Sequence, residues 1–291
     1  MDTKIPEEDA KVIQAIEDMI LSSMKLGFDL SELDILDDVN ASKTKIQELG
    51  EKIAVSNSEL ATTILHIAHS NYFDHSAHGD VPSFFDAVLR IGADRVKALI
   101  VSLSLFVLGK GTDVRRRAAK SASIGILART IAEQMNLKDE FIRQVEIGGL
   151  LAQLGMNVLI KARNRGAELS DAFIEKYKVH MATTLVDRLK MDPFMKKAVD
   201  MSVLEFDEDS LALVGIIKLA EALTEDSFRK YGKLVLSSPL PDKDEVLVRT
   251  VGDDVRKFFF ILGLEEFIEL REVPTKRQKE TTRKKGKTGK S

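Results

Sequence analysis

Cysteine is absent from all 291 residues. Disulfides, thiolate metal centres and cysteine nucleophiles are excluded with it, and the absence fits a reducing compartment. Tryptophan is missing too, and aromatics make up only 6%. The 44% hydrophobic content therefore comes mostly from Val, Ile, Leu and Ala, in blocks that suit helices. That is enough apolar material for a sizeable core, and the length allows one large or two modest domains. Long apolar runs are lacking. The longest, ALIVSLSLFVL (Ala98–Leu108), has eleven residues and two serines, whereas a bilayer span needs about 20. The start, MDTKIPEEDAK, is acidic and polar, unlike a secretory leader. The expectation is a cytoplasmic protein with no membrane span.

Charge is nearly balanced at −3 but unevenly placed. The segment PTKRQKETTRKKGKTGKS (Pro274–Ser291) holds eight Lys or Arg and one Glu, a charge of +7, which leaves −10 on the rest. It has no apolar residue able to be buried and reads as a disordered basic tail. Such a tail could reach nucleic acid by releasing condensed counterions, although composition alone more often marks a solubilising terminus.

Apolar residues recur at helical spacing almost throughout. Val12, Ile13, Ile16, Met19 and Ile20 form one stripe, which Gly27 ends. Helix starts are expected at Ser56-Asn57-Ser58-Glu59, read as a capping box with Ser56 as the cap, and at Asp192 before Pro193, Ser170 and Asp242. Ends are expected at Gly109/Gly111 and over residues 163–166. No segment alternates with period two between hairpin turns, and no repeat recurs at a solenoid period. The pattern predicts an all-α fold of about ten to thirteen helices. Residues 1–40 read as an N-terminal helical arm, 41–270 as the helical body and 271–291 as the tail.

Four of the five histidines, His66, His69, His75 and His78, crowd into HIAHSNYFDHSAH, with Asp74 and Asp80 nearby. His66 and His69 are three apart on a predicted helix and could chelate zinc from one face. Leu60, Ile64, Ile67 and Ala68 already define a buried stripe there, however, and histidines at its borders are more often structural. Phosphate loops of the forms GxxxxGK[ST] and GxGxxG are missing, as are GxSxG and HExxH. GGLLAQLG has glycines, but within an apolar helix. Arg115-Arg116-Arg117 and Lys120 read as solvated first turns of a helix whose buried face begins at Ile124. Cations are disfavoured at a helix N-terminus, which speaks for an anion contact there.

Two stretches carry a family resemblance. IQELGEKIAVSNSELATTILHIAHSNYF (Ile46–Phe73) and FFDAVLRIGADRVKALIVSLSL (Phe84–Leu105) resemble HDOD domains, bacterial signalling modules related to the HD phosphohydrolases. LRIGADRVKALIV is the most specific part. KSASIGILARTIA and EIGGLLAQLGMNVLIKA follow with the shape of the helices that bear metal ligands in HD proteins. The likeness spans roughly residues 25–235 and implies a multi-helix HD-related bundle.

In the HD superfamily a histidine, a His-Asp pair and a distal aspartate hold metal that activates water against a phosphoester. Carried over, the first histidine falls at Lys120, the His-Asp pair at Ala152-Gln153, and the distal aspartate at Glu221. A further histidine of some relatives matches His180. A catalytic centre needs roughly three protein ligands and an open position, and this set supplies too few. The resemblance therefore implies a non-catalytic signal-transduction or regulatory protein, a pseudoenzyme with no metal and no cofactor, that works by binding a protein or small-ligand partner. Lys120, Gln153, His180 and Glu221 are expected to line a residual pocket for an anion or nucleotide. Two rivals stand beside it: a metal-dependent phosphohydrolase acting on a nucleotide or cyclic dinucleotide through ligands such as the 66–78 histidines, and nucleic-acid association through residues 274–291.

Overall fold

The chain is described here by a computed structural model over residues 5–23, 30–36, 38, 40–70, 83–106, 112–188, 191, 193–199, 208–239 and 255–273. Expectations at Gly27, Gly109/Gly111, Asp192, Asp242, Asp74, His75, His78, Asp80 and the 274–291 tail fall outside those residues.

The expectation of an all-α bundle is met. Among the described residues the helices are α1 (Glu7–Ser23), α2 (Lys43–Ser56), α3 (Ser58–His69), α4 (Phe84–Ile91), α5 (Ala93–Phe106), α6 (Thr112–Gln134), α7 (Asp139–Leu151), α8 (Leu154–Asn164), α9 (Asp171–Arg188), α10 (Pro193–Val199) and α11 (Glu208–Tyr231). A 3-10 turn spans Leu30–Leu36, and residues 255–261 are also helical. Local chemistry explains several boundaries. Ser42, Asn57, Ser83 and Ser170 each accept an N–H of the first turn that has no partner within the helix. The α2–α3 junction departs from the capping box expected there. Asn57 is the cap, accepting Leu60 N–H at 3.0 Å, while Ser56 Oγ turns back to donate to Lys52 O at 2.7 Å. Gly92, with φ +91°, lets α4 turn into α5.

The core runs through the middle of the bundle. Ile53, Leu60, Ile64, Ile67 and Ala68 are fully buried, and each large one contributes roughly 1.5–3 kcal/mol. α6 packs along α7 and α11, and α8 packs against α9. α1 packs on α8 and α9, with Ile13 and Ile16 buried and Val12 exposed.

Close crossings explain the glycines of GGLLAQLG. A Cβ on Gly149 would lie 2.8 Å from Gly125 Cα on α6, and one on Gly155 would lie 1.7 Å from Lys178 O on α9. By length and composition, Asp139–Asn164 could cross a bilayer, a reading that the run-length argument missed. Here 78% of that apolar window is buried inside the protein, and the chain bends at Ala152–Gln153 between α7 and α8.

The sequence pattern gave no sign of strands, yet β1 (Leu234–Pro239) and β2 (Ile268–Val273) pair in parallel, with Leu234 opposite Ile268. β1, LVLSSP, does not alternate, and although Ile268 and Leu270 of β2 alternate with Glu269 and Arg271, a parallel pair has no hairpin turn to mark it. β2 runs to Val273, past the boundary read at residue 271.

Candidate functional site

The bend between α7 and α8 determines what the resembling positions can do. Ala152 caps α7 in helical geometry, and Gln153 sits at φ −98°, ψ 8°, opening α8. From there the Gln153 side chain reaches α11, where its amide Nε2 donates to Glu221 Oε1 at 2.6 Å. One turn along α11, Glu225 accepts both hydrogen bonds of Lys120 Nζ, at 2.6 and 2.7 Å. Lys120 projects from α6, and its ammonium lies 5.8 Å from the Phe228 ring centroid. Beside it Ser121 Oγ accepts from Asn157 Nδ2 of α8 at 3.3 Å, and Asn157 Oδ1 is buried without a partner. Gln153 thus meets Glu221 and Lys120 meets Glu225, two contacts spaced one turn apart along α11.

His180 does not join them. It lies close enough to Glu17 of α1 to lower that carboxyl's pKa, although burial outweighs it and raises Glu17 above the ordinary value. The reason is helical geometry. Tyr177 and Arg188, on α9 with His180, contact Asp9 and Glu17 of α1, so this side of α9 faces α1. The α9 residue felt at Glu221 is Lys178. Burial raises the Glu221 pKa above the usual carboxylate value, with Glu225 adding to the rise, while the Gln153 amide and Lys178 pull it down.

Sequence reasoning missed Glu225, Asn157 and Lys178. Glu225 follows Glu221 by four residues and Asn157 follows Gln153 by four, so each shares a helix face with a residue already singled out. That spacing was a usable signal. Lys178 had none, because its approach depends on the close α8–α9 crossing.

The donor set does not suit a metal ion. An ammonium and an amide N–H point where ligands would have to be, and Glu221 and Glu225 are each held by a donor. Among the described residues no three His, Asp or Glu side chains gather as a metal site would require. His66 and His69 are exposed, and His69 Nδ1 contacts Leu65 O at 3.1 Å. Arg115 and Arg116 at the start of α6 are engaged rather than free for an anion. Arg115 donates to Gly263 O and to Glu266, and Arg116 donates to Phe228 O at 3.3 Å. Burial lowers the Arg117 pKa, and the buried face already begins at Ala118, ahead of Ile124.

Comparison with known proteins follows this geometry. A family model described as HDOD domain matches residues 31–192, more than half of the chain. A structure from Shewanella amazonensis SB2B, named among the metal-dependent phosphohydrolases, is similar at 12% identity with a TM-score of 0.51, covering 88% of this chain and all of that one. A structure of an HDOD domain protein with unknown function from Geobacter sulfurreducens is similar at 16% identity with a TM-score of 0.45, covering 86% of this chain and 89% of that one. No curated protein matches.

Proposed function

The chain belongs to the HDOD family, and we propose that it is a non-catalytic, cytoplasmic bacterial regulatory protein that acts by binding a protein or small-ligand partner. The observation that carries this reading is the pair of contacts Gln153–Glu221 and Lys120–Glu225. Of the positions that the family resemblance assigns to metal ligands, Lys120 and Gln153 carry hydrogen-bond donors that occupy Glu225 and Glu221, and Ala152 carries no ligating group at all. An ammonium repels a cation and an amide N–H cannot ligate one, so these positions supply fewer than the roughly three ligands that a metal activating water requires. Regulation would then come from a shift between two packings of the helical halves that a partner favours unequally. A free anion is a poor candidate partner at Lys120, because Glu225 already neutralises the ammonium.

The test is elemental mass spectrometry on the purified, untagged chain after dialysis, with hydrolysis of bis(p-nitrophenyl) phosphate followed in added manganese or iron. The expected result is well under one equivalent of transition metal and no turnover above buffer. A stoichiometric metal together with hydrolysis would overturn the reading in favour of a phosphohydrolase, and His66, His69 and Glu221 would be substituted next to find the ligands. A binding activity lost on removing residues 274–291, and falling steeply with salt, would point instead to nucleic acid held by the tail.

A further inference from the structure

A cavity of about 260 Å³ lies between α5, α6 and the segment after residue 255. Leu99 and Leu103 of α5, Ala118 and Ala122 of α6, and Phe258 and Leu264 of the C-terminal segment make most of its wall. Two buried serines, Ser102 and Ser121, interrupt the apolar lining. Ser121 Oγ is engaged by Asn157, whereas Ser102 Oγ is buried with no partner. Charge is confined to exposed Glu59 and to Arg115, and Arg115 is already paired with Glu266 at 2.8 Å.

We propose that this cavity binds a small uncharged apolar molecule, one or two fused rings in size, that carries a single hydrogen-bonding group. Size sets the scale, since roughly 150 Å³ already accommodates benzene and drug-sized sites begin near 300 Å³. Charge sets the class. An ionised ligand would have to leave water for a lining of leucine, alanine and phenylalanine, and Arg115 could meet it only by giving up Glu266. A neutral ring loses little on entry, and Ser102 Oγ, buried just beneath the lining without a partner, could turn to meet one polar group. A ligand there would touch Phe258 and Leu264, so occupancy would reinforce the docking of residues 258–264 on α5 and α6. The cavity adjoins the candidate site through Ser121, but its lining includes none of Lys120, Gln153, Glu221 and Glu225, so ligand binding here is read independently of metal content.

Indole is a suitable probe, because the chain lacks tryptophan and has only three tyrosines, so indole emission can be read against almost no background. Titration of the full-length chain should give a saturable blue shift, and indole should slow amide exchange across residues 258–264. Ala122→Phe, which fills the cavity, should abolish the shift while circular dichroism stays helical. Ser102→Ala should weaken indole by about three- to tenfold, the worth of one neutral hydrogen bond, and leave naphthalene binding unchanged. A non-saturating signal from the full chain would overturn the proposal, as would undiminished binding in folded A122F. Should A122F fail to fold, equal losses for indole and naphthalene in S102A, or no loss for either, would do the same.

Discussion

Two charged groups use the α7–α8 rod, seven residues apart, and they differ in almost everything but chemistry. At Glu146 on α7 the carboxylate is 1% exposed and meets Arg95 of α5 at 2.5 Å and Arg129 of α6 at 3.5 Å. At the Gln153 bend the carboxylates of α11 meet an amide and a lysine, and Glu225 is 49% exposed against 21% for Lys120. The first group is locked inside the core, where an unpaired charge is very costly. In the second, the Lys120–Glu225 pair lies at the edge of the bundle, where ion pairs can be exchanged at little cost. A bundle with its strongest ionic contact buried elsewhere can change its surface positions freely. That is the physical condition under which surface ion pairs can change without unfolding a scaffold.

Removing one partner of the buried group gives the sharpest contrast. Glu146→Ala leaves two arginines facing each other in the core and should cost about 3–5 kcal/mol, read by urea denaturation with an unchanged m-value. Glu146→Gln should recover little, because an amide offers no charge to either guanidinium. A loss under about 1 kcal/mol would erase the distinction between the two groups.

How legible was this division in the sequence? The helical body was, because LRIGADRVKALIV and SELATTILHIAH carry strong 3.6-residue periodicity, and periodicity reports directly which face is buried. Lys120, Gln153 and Glu221 were singled out through the family resemblance; Gln153 contacts Glu221, whereas Lys120 contacts Glu225 one turn further along α11. His180 was misplaced because a match in sequence gives a position along α9 but not its rotation, and the rotation is fixed by α1 packing on that face. Glu146 stood in plain view as a single acid inside VEIGGLL, but its partners lie 51 and 17 residues away on other helices, and a sequence shows no such distance. The parallel strands went unread for the same reason: their pairing joins residues about 34 apart, with no hairpin turn between them.

Lys161 on α8 lies between the two extremes. Its ammonium donates to Ser104 O at 3.2 Å, and burial lowers its pKa from 10.5 to about 8. The unfolded chain therefore binds more protons than the folded one between about pH 8 and 10.5, and stability rises with pH across that window as the buried charge is relieved. Lys161→Met removes the titration. The variant should melt about 2–4 °C above the parent at pH 7, and the gap should close between pH 8 and 10. A gap independent of pH would mean that the lysine is solvated well enough to sit with the exposed group.

The smallest effect belongs to Lys120 and Glu225. Both are tied in good geometry, yet their exposure leaves water and salt to screen the pair. A double-mutant cycle on Lys120→Ala and Glu225→Ala should give a coupling below about 1 kcal/mol, shrinking further between low and high salt. Its smallness is informative, since it would show that the tie between α6 and α11 at this edge can open without threatening the fold. A coupling of several kcal/mol would instead make the pair a structural clamp like Glu146, and the edge of the bundle would then be too rigid to serve as the element that a partner shifts.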